Sequence, residues 1–512
     1  DGVMEGYLRG MKKAVPSPLW LFSLFFLGAM FLPRLVPQGL FGDGLLYASM
    51  ARNLAISKGS MWAPWFSSGY WLDFASGAPY FENPPLMIWL QAGFFWLLGD
   101  HWWVEKCYAL LVFCLNAWLI VRVWEIPLRQ TPLENRYGWV PLLSWYLITP
   151  VIWGNPNNLM DNNLATFCLL ALWAALDGLF SEKGVWIKLT LAGAFVYLGI
   201  LTKGPVALYP VALPFLFACV GGLADGPFRQ RAGRGLVQSA WIGLVAVGLF
   251  ALMLYLVPES QHYFEQYWQR RLGVVLSGVR EDAELSGWAR LYIIVILVKE
   301  QPGLIAVFLL LLFLARSRNI DNQAFRRERR ISLLFLLLGF SATLPIALSA
   351  RQNGIYVIPG MPMFALAAAY FHLPILHYWL AEPGAKTRRF LTRLGRLSFA
   401  AICGLAVYVV MLFGQPGRDK DILHDLPYIQ QAIPAGSQVA VCERLMYNQQ
   451  VHTYLQRFHR LELTRDLSLC HYALTDQTCG TEMAEALAAG GFSRKTAIAA
   501  PEARFMIWEK DR

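Results

Sequence analysis

The chain contains little charge for its length. Asp, Glu, Lys and Arg make up 15% of its 512 residues, whereas about a quarter of a soluble domain is charged. Hydrophobic residues account for 56%, and a soluble fold of this composition would expose large apolar patches. Disordered and collagen-like chains are excluded on the same grounds. Because the apolar runs are long and continuous, the composition predicts a polytopic helical membrane protein and not a β-barrel.

Several sequence motifs are also missing. The chain has no phosphate-binding loop and no Gly-x-Ser-x-Gly motif, so nucleotide hydrolysis is not expected. Its His, Cys and acidic residues do not follow the spacing of a zinc site. The net charge of +10 is concentrated in short loops, which is typical of cytoplasmic loops and does not indicate nucleic-acid binding.

The apolar segments predict about eleven transmembrane spans by hydropathy and length. Basic residues cluster in alternate loops, which places the N-terminus in the cytoplasm. All of the basic loops fall on the cytoplasmic side only if residues 85–99 do not cross the membrane. This aromatic segment is too short to cross comfortably, and we expect it to lie in the outer interface. The predicted spans cover about 18–36, 104–122, 137–154, 163–180, 186–202, 205–222, 236–257, 288–315, 331–349, 355–374 and 397–414.

Two domains follow from this scheme. An all-α membrane domain covers residues 1–414 and includes two long outer loops at 37–103 and 258–287. Residues 415–512 are polar, with a strand-like segment at 438–442 followed by a helical pattern. We expect them to form a small extracytoplasmic α/β domain.

Three of the eight cysteines, Cys442, Cys470 and Cys479, lie in this polar tail. A disulfide can form there if the compartment is oxidising. We expect Cys470 and Cys479 to pair, because only nine positions separate them.

Acidic and amide residues lie at the predicted outer ends of spans, where a polar side chain is most informative. Asp43 follows the first span between two glycines, and it suits either a general base or the N-cap of the next helix. Asp161 lies in the amide-rich segment 155–163 with Asn157 and Asn158. This segment suits either the binding of sugar hydroxyls or a solvated turn that begins the next helix.

An aromatic loop ending in two prolines also lies on the outer side. Residues 77–85 read Gly-Ala-Pro-Tyr-Phe-Glu-Asn-Pro-Pro and include Tyr80 and Glu82. Glu82 is predicted to face the same cleft as Asp43. When the loop is considered by itself, its sequence favours an ordinary turn at the membrane interface over a functional role.

Cations accompany these acids. Lys203 lies in Leu-Thr-Lys-Gly-Pro, at an outer break between two apolar runs. Its ammonium suits a phosphate group, although it can also reach outer lipid head groups by snorkelling. Arg351 lies at another outer span end, and Arg270 and Arg271 add charge in the second outer loop. Arginine suits bidentate phosphate binding, so the cluster predicts a site for an anionic lipid head group.

In this order the motifs resemble those of the GT-C glycosyltransferases, over roughly 18–372. The closest branch contains the protein O-mannosyltransferases and the bacterial lipid A aminoarabinose transferase. The loop at 77–85 and the segment Leu201–Pro205 carry most of the resemblance. It implies a sugar donor on a polyprenyl phosphate such as undecaprenyl phosphate, and an acceptor hydroxyl or phosphate at the outer face of a bacterial inner membrane. Asp43 and Asp161 match the family's two acids.

The resemblance also assigns the remaining roles. Lys203 and Arg351 match the cations near the donor phosphate, and Arg270 and Arg271 are expected to assist them. The acceptor is a glycolipid, a polysaccharide or a protein. The candidate substrate-binding residues are Tyr47, Tyr80, Glu82, Asn157, Asn158 and Tyr356.

The chain departs from the family pattern at four positions. Gly44 stands where the family often has Glu, Asn83 where it usually has Lys, and Arg351 where it has Lys. Trp268 occupies the position of a frequent His. These departures leave a divalent metal, the sugar and the acceptor open. Two alternatives also stay open, a lipid or glycan transporter and a non-catalytic envelope assembly protein, although the polar residues avoid the bilayer midplane and no internal repeat is visible.

Overall fold

The computed structural model describes residues 17–68, 79–181, 183–221, 227–274, 289–316, 325–349, 352–495 and 503–511. Helices account for most of them, as the apolar composition predicts. The first half of the membrane domain contains the helices α1 (Pro18–Leu35), α2 (Gly42–Ala55), α3 (Leu86–Leu98), α4 (Val104–Glu125), α5 (Trp139–Trp145), α6 (Thr149–Gly154), α7 (Met160–Ser181) and α8 (Val185–Lys203). The second half contains α9 (Leu213–Cys219), α10 (Phe228–Leu256), α11 (Pro258–Tyr267), α12 (Tyr292–Lys299), α13 (Pro302–Arg316), α14 (Arg326–Thr343), α15 (Met361–Leu380) and α16 (Ala385–Leu412).

Short elements connect these helices. A small hairpin pairs β1 (Gly59–Ser60) with β2 (Ala63–Pro64). One π-helical turn continues α11 over Trp268–Leu272. The 3₁₀ segments of the membrane domain are Ile126–Leu128, Asn155–Asn157, Gly204–Ala212, Ala289–Leu291, Leu344–Leu348 and Gly354–Gly360.

The described residues contain eight helical segments that are long and apolar enough to cross a membrane, or nine if α12 and α13, which are bent by 68°, form one span. The chain is therefore a multi-pass membrane protein. The predicted span at 137–154 is divided into α5 and α6, which are each too short to cross alone. The number of spans, predicted to be about eleven, stays a prediction.

One of the eight segments, Val185–Cys219, contains a reversal of the chain. A Cβ built on Gly199 would lie 2.8 Å from the Cβ of Ala207. In a continuous helix, residues eight apart are separated by about 12 Å. The chain turns back at Gly204, whose φ of +75° suits glycine. This turn separates the two segments predicted at 186–202 and 205–222.

The first and last membrane helices run side by side in the same direction. Pro18 at the start of α1 packs against Gly395 of α16, and Gly28 packs further along against Leu405. The C-terminal domain therefore begins beside the loop that follows α1.

The C-terminal domain is a small α/β fold, which confirms that part of the predicted architecture. Its strands are β3 (Gln438–Val441), β4 (Glu462–Thr464), β5 (Tyr472–Thr475), β6 (Phe492–Arg494) and β7 (Met506–Lys510). They form a mixed five-stranded sheet with the order β4-β3-β5-β7-β6. β3 is parallel to β4 and β5, and β7 is antiparallel to β5 and β6. The helices are α17 (Lys420–Ala432), α18 (Glu443–Met446), α19 (Gln449–His459) and α20 (Thr481–Ala489), with a 3₁₀ turn at Leu467–Leu469.

The disulfide joins Cys442 to Cys479, with 5.7 Å between their Cα atoms. The predicted pairing of Cys470 with Cys479 is therefore wrong. Cys442 and Cys479 follow the carboxyl ends of the adjacent parallel strands β3 and β5, which brings them together. Cys470 precedes β5 at the opposite end and is buried against Leu487 and Phe492 as a free thiol.

Buried ion pairs attach α19 to the membrane domain. Arg457 donates at 2.8 Å to both Glu105 and Asp100. Arg52 of α2 donates to Asp100 at 3.2 Å and to the side chain of Gln456 at 2.8 Å. Burial lowers the pKa of Arg52 to about 10, although the Asp100 carboxylate opposes this shift. A buried, doubly paired arginine holds both partners in one geometry.

The basic loops and the candidate acids lie at opposite ends of the bundle. Asp177, near the end of α7, pairs with Arg129 and, at 2.6 Å, with Lys188. Asp161 lies at the start of the same helix. An α-helix of this length separates its two ends by about 30 Å.

Candidate active site

Asp161 and Lys203 form a buried ion pair between two membrane helices. Asp161 lies in the first turn of α7 and Lys203 ends α8. The Lys203 ammonium lies 2.5 Å from Oδ2 of Asp161, and their side chains are 16% and 5% exposed. The ring of Tyr356, on the 3₁₀ turn before α15, lies 5.2 Å from the same ammonium. An ammonium has three donors, so this lysine can hold Asp161 and an anionic ligand together.

Asp43 is held in a narrow turn at the start of α2. A Cβ on Gly44 would collide with the carbonyl oxygen of Asn157, and one on Gly42 would collide with the side chain of Gln450. Gly44 needs to be glycine because the backbone of Asn157 approaches it closely, whereas Gly42 lies against the side chains of Gln449 and Gln450. The Asp43 side chain is partly exposed, and its Oδ1 accepts a hydrogen bond of 2.5 Å from Gln449 Nε2.

The amides of Asn157 and Asn158 support this turn. Asn157 accepts from the backbone N–H of Phe41 at 3.0 Å, and Asn158 donates to the carbonyl of Gly44 at 3.1 Å. Gln91 of α3 donates to Asn158 at 3.1 Å. These two asparagines hold the backbone around Asp43, and their predicted contact with a sugar stays a prediction.

The aromatic loop packs against the second long loop, which was predicted at 258–287. Arg271 approaches Glu82 at 3.4 Å, and Arg270 lies 5.4 Å from the ring of Phe81. Asn83 donates to the Tyr80 hydroxyl at 2.7 Å. The two loops thus place an acid, two guanidinium groups and a buried phenol side by side.

Electrostatic interactions connect these groups with one another. Burial lowers the pKa of Arg271, but Glu82, Tyr80, Tyr356 and Tyr47 together raise it above its usual value. Burial, assisted by Glu82, raises the pKa of the Tyr80 hydroxyl, to which Asp43 also contributes.

Asp43 also interacts electrostatically with Asp161. The structure therefore brings together most of the residues predicted from the sequence. They are Asp43, Tyr47, Tyr80, Glu82, Asp161, Lys203, Arg271 and Tyr356.

The remaining predicted features are either outside the described residues or differ from the prediction. Arg351 and the first two residues of the loop at 77–85 lie outside the described residues. Trp268, at the position of the family histidine, is 55% exposed. No group of three or more His, Cys, Asp or Glu in the described part of the chain could hold a metal ion. At the corner where a metal was left open, Glu82 pairs with Arg271.

Gln449 is the residue that sequence reasoning missed. It lies in the C-terminal domain, 406 positions after Asp43. A glutamine at the start of a helix carries no sequence signal for such a distant contact.

Known proteins share part of the sequence and the overall fold of this chain. The sequence matches no family model. It is 26% identical over 249 residues to undecaprenyl phosphate-alpha-4-amino-4-deoxy-L-arabinose arabinosyl transferase 1 of Proteus mirabilis (strain HI4320). The match covers 48% of this chain and 42% of that protein, so it spans less than half of the relative's length.

Two solved structures share the architecture. ArnT from Cupriavidus metallidurans bound to undecaprenyl phosphate aligns with a TM-score of 0.61 at 15% identity, over 95% of this chain and 97% of that one. The apo oligosaccharyltransferase of Archaeoglobus fulgidus aligns with a TM-score of 0.50 at 12% identity, over 93% and 73%. The chain therefore shares the fold of these two proteins, which confirms the predicted architecture of many membrane helices with a small α/β domain.

Proposed function

We propose that this protein is a glycosyltransferase of the bacterial inner membrane that moves a sugar from a polyprenyl-phosphate donor to an acceptor at the outer face. One observation carries the proposal. Asp43 and the Asp161–Lys203 pair meet at one end of an apolar bundle, beside Arg271 and Tyr356. Acids beside cations suit a reaction that takes a proton from a hydroxyl and releases a phosphate.

The cations act on the donor. Lys203 donates to the phosphate oxygens with the two N–H groups that Asp161 leaves available. Arg270 and Arg271, at the edge of the same cleft, add positive charge. These groups offset the negative charge that grows on the phosphate as its bond to the sugar breaks.

Asp43 acts on the acceptor. Its carboxylate takes the proton of the acceptor hydroxyl while the hydroxyl oxygen bonds to the anomeric carbon. The bond between that carbon and the phosphate oxygen breaks, and the polyprenyl phosphate leaves with the electron pair. Attack from the face opposite the phosphate inverts the anomeric carbon. Asp161 keeps Lys203 in place throughout.

The orientation follows from charge and redox chemistry. Arg129 and Lys188 meet at the end of the bundle away from Asp43, and basic loops favour the cytoplasm. The disulfide between Cys442 and Cys479 suits an oxidising compartment. We therefore assign the N-terminus to the cytoplasm and the C-terminal domain to the periplasm.

The first donor to test is 4-amino-4-deoxy-L-arabinose on undecaprenyl phosphate, which the name of the Proteus mirabilis relative specifies. Lipid A is the first acceptor to test, and other glycolipids, polysaccharides and proteins follow. Formation of the glycosylated acceptor with release of undecaprenyl phosphate supports the transferase. Binding and movement of the donor lipid without product favours a transporter.

Native mass spectrometry with undecaprenyl phosphate locates the donor site. We expect the wild type to retain the lipid and a Lys203→Ala, Arg351→Ala double variant to lose it. Lys188→Ala is the matched control, since Lys188 lies on the same helix at the opposite end. Equal retention by all three proteins would contradict the assignment of the donor phosphate.

A further inference from the structure

The first turn of α19 lies directly against the turn that carries Asp43. Gln449 Nε2 donates to Oδ1 of Asp43 at 2.5 Å. We propose that Gln449 is a positioning residue that orients the Asp43 carboxylate for glycosyl transfer, which makes the C-terminal domain part of the reacting centre. This inference rests on the proposed function, in which Asp43 is the base.

The two domains are in close contact at this point. A Cβ on Gly42 would lie 3.1 Å from Cγ of Gln449 and would collide with Gln450. On the other side, the carbonyl of Asn157 closes on Gly44. The carboxylate of Asp43 is thus held between two elements that come from different domains.

The hydrogen bond divides the two carboxylate oxygens between different tasks. Among the described residues, Gln449 is the side chain that donates to Asp43. Oδ1 accepts from this donor, which leaves Oδ2 as the oxygen without a side-chain donor among the described residues and the more open of the two for the acceptor proton. A neutral amide cannot take that proton itself, and it favours the charged form of the acid beside it.

The supporting helix is fixed at both ends. Asn448 caps α19 by accepting from the N–H of Val451 at 3.2 Å. At the other end Arg457 is held by Glu105 and Asp100 of the membrane domain. A side chain on a rigid, anchored helix, such as Gln449 on α19, keeps a more constant position than a side chain on a loop.

Other charged and titratable groups near Asp43 also influence how the rate of the reaction depends on pH. Asp161 from α7 and Tyr80 from the first outer loop interact with it electrostatically. Arg418 lies 5.4 Å from the ring of the preceding Phe41. None of these groups belongs to α19, so substitutions at Gln449 leave them in place.

The experiment compares Gln449→Leu and Gln449→Glu with Gln450→Leu. Leucine removes the donor at similar size, and glutamate replaces it with an acceptor of the same shape. Gln450 is the matched control because it lies in the same turn and donates to Asp419 at 2.7 Å, within the C-terminal domain.

The first measurement is hydrogen exchange at residues 42–47 of the full-length protein, which needs no substrate. We expect faster exchange there in both Gln449 variants than in the wild type, and a smaller change in Gln450→Leu, whose side chain packs against Gly42 but does not bond to Asp43. Unchanged exchange in both Gln449 variants would overturn the inference.

The second measurement is turnover of undecaprenyl phosphate-linked 4-amino-4-deoxy-L-arabinose with lipid A. We expect kcat to fall by about 10- to 100-fold in Gln449→Leu, the value of one hydrogen bond to a charged group, with the KM for the donor unchanged. The acid limb of the pH–rate profile should move to higher pH, and further in Gln449→Glu.

Asp43→Asn in the same assay separates the two claims. Full turnover by Asp43→Asn would refute the base assignment in the proposed function. Loss of turnover in Asp43→Asn, together with wild-type kinetics and pH profile in the Gln449 variants, would refute the positioning role alone.

Discussion

The Lys203 ammonium lies 2.5 Å from the Asp161 carboxylate, and this pair joins the start of one membrane helix to the end of the next. Both side chains are almost fully enclosed. A charge pair at this depth is costly to break, because removing one partner leaves the other buried without compensation.

Removal of the ammonium should therefore destabilise the protein. We expect Lys203→Met to lower the free energy of unfolding by about 3–5 kcal/mol, seen as a lower apparent melting temperature in detergent. The double variant Lys203→Met, Asp161→Asn should recover part of the loss. The matched control is Lys188→Met, since Lys188 pairs with Asp177 at a more exposed site, where the expected loss is about 1 kcal/mol or less. Equal losses at the two lysines would contradict this account.

Asp43→Asn should abolish most of the proposed activity. The amide keeps the shape of the side chain but cannot accept a proton, so turnover should fall by about 10²- to 10⁴-fold. Retention of undecaprenyl phosphate in native mass spectra should not change.

Asp419→Asn provides the control, because Asp419 also accepts from a glutamine at the start of α19 but belongs to the C-terminal domain. A similar loss in this control would show that any change at the domain contact reduces activity.

His452 should make stability depend on pH. The side chain is buried where the C-terminal domain meets the first outer loop, with its Nε2 3.2 Å from Oγ of Ser67, and burial lowers its pKa to about 3. Between pH 6.5 and about 3 the unfolded chain binds a proton here that the folded protein does not. The free energy of unfolding should therefore decrease as the pH falls, by about 1.4 kcal/mol per pH unit.

Thermal unfolding between pH 7 and pH 4 tests this dependence. His452→Gln should flatten it, whereas the same change at the exposed His262 should not. An unchanged slope in His452→Gln would assign the pH dependence to other groups.

The disulfide should contribute strongly to the C-terminal domain. The bond between Cys442 and Cys479 spans 37 positions, for which the chain-entropy model gives about 4 kcal/mol. Cys442→Ser should lower the stability of this domain by about that amount, and Cys470→Ser should leave the bond intact. Peptide mapping without reduction checks the pairing, and a peptide linked through Cys470 would contradict it.

Local sequence patterns were sufficient for much of the membrane domain. The segment predicted at 104–122 forms α4, and the Thr-Lys-Gly-Pro motif marks the turn at Gly204. Hydropathy and glycine–proline chemistry act over a few residues, so the sequence reveals them directly. The motif order also predicted the fold that the solved structures share.

Contacts between residues far apart in the chain could not be predicted from the sequence. The partner of Cys479 depends on which strands become neighbours in the sheet, and sequence spacing carries little information about that. For the same reason, the sequence did not predict that Asn157 and Asn158 would bind the backbone around Asp43.

The sequence by itself determined a multi-pass helical protein with acids and cations at its span ends, because apolar length and turn residues are local properties. Only the tertiary structure decided that Lys203 pairs with Asp161 and that Gln449 reaches Asp43 across 406 positions. Such contacts depend on the packing of whole helices and domains, and the free energy that selects one packing is distributed over many side chains far apart in the chain.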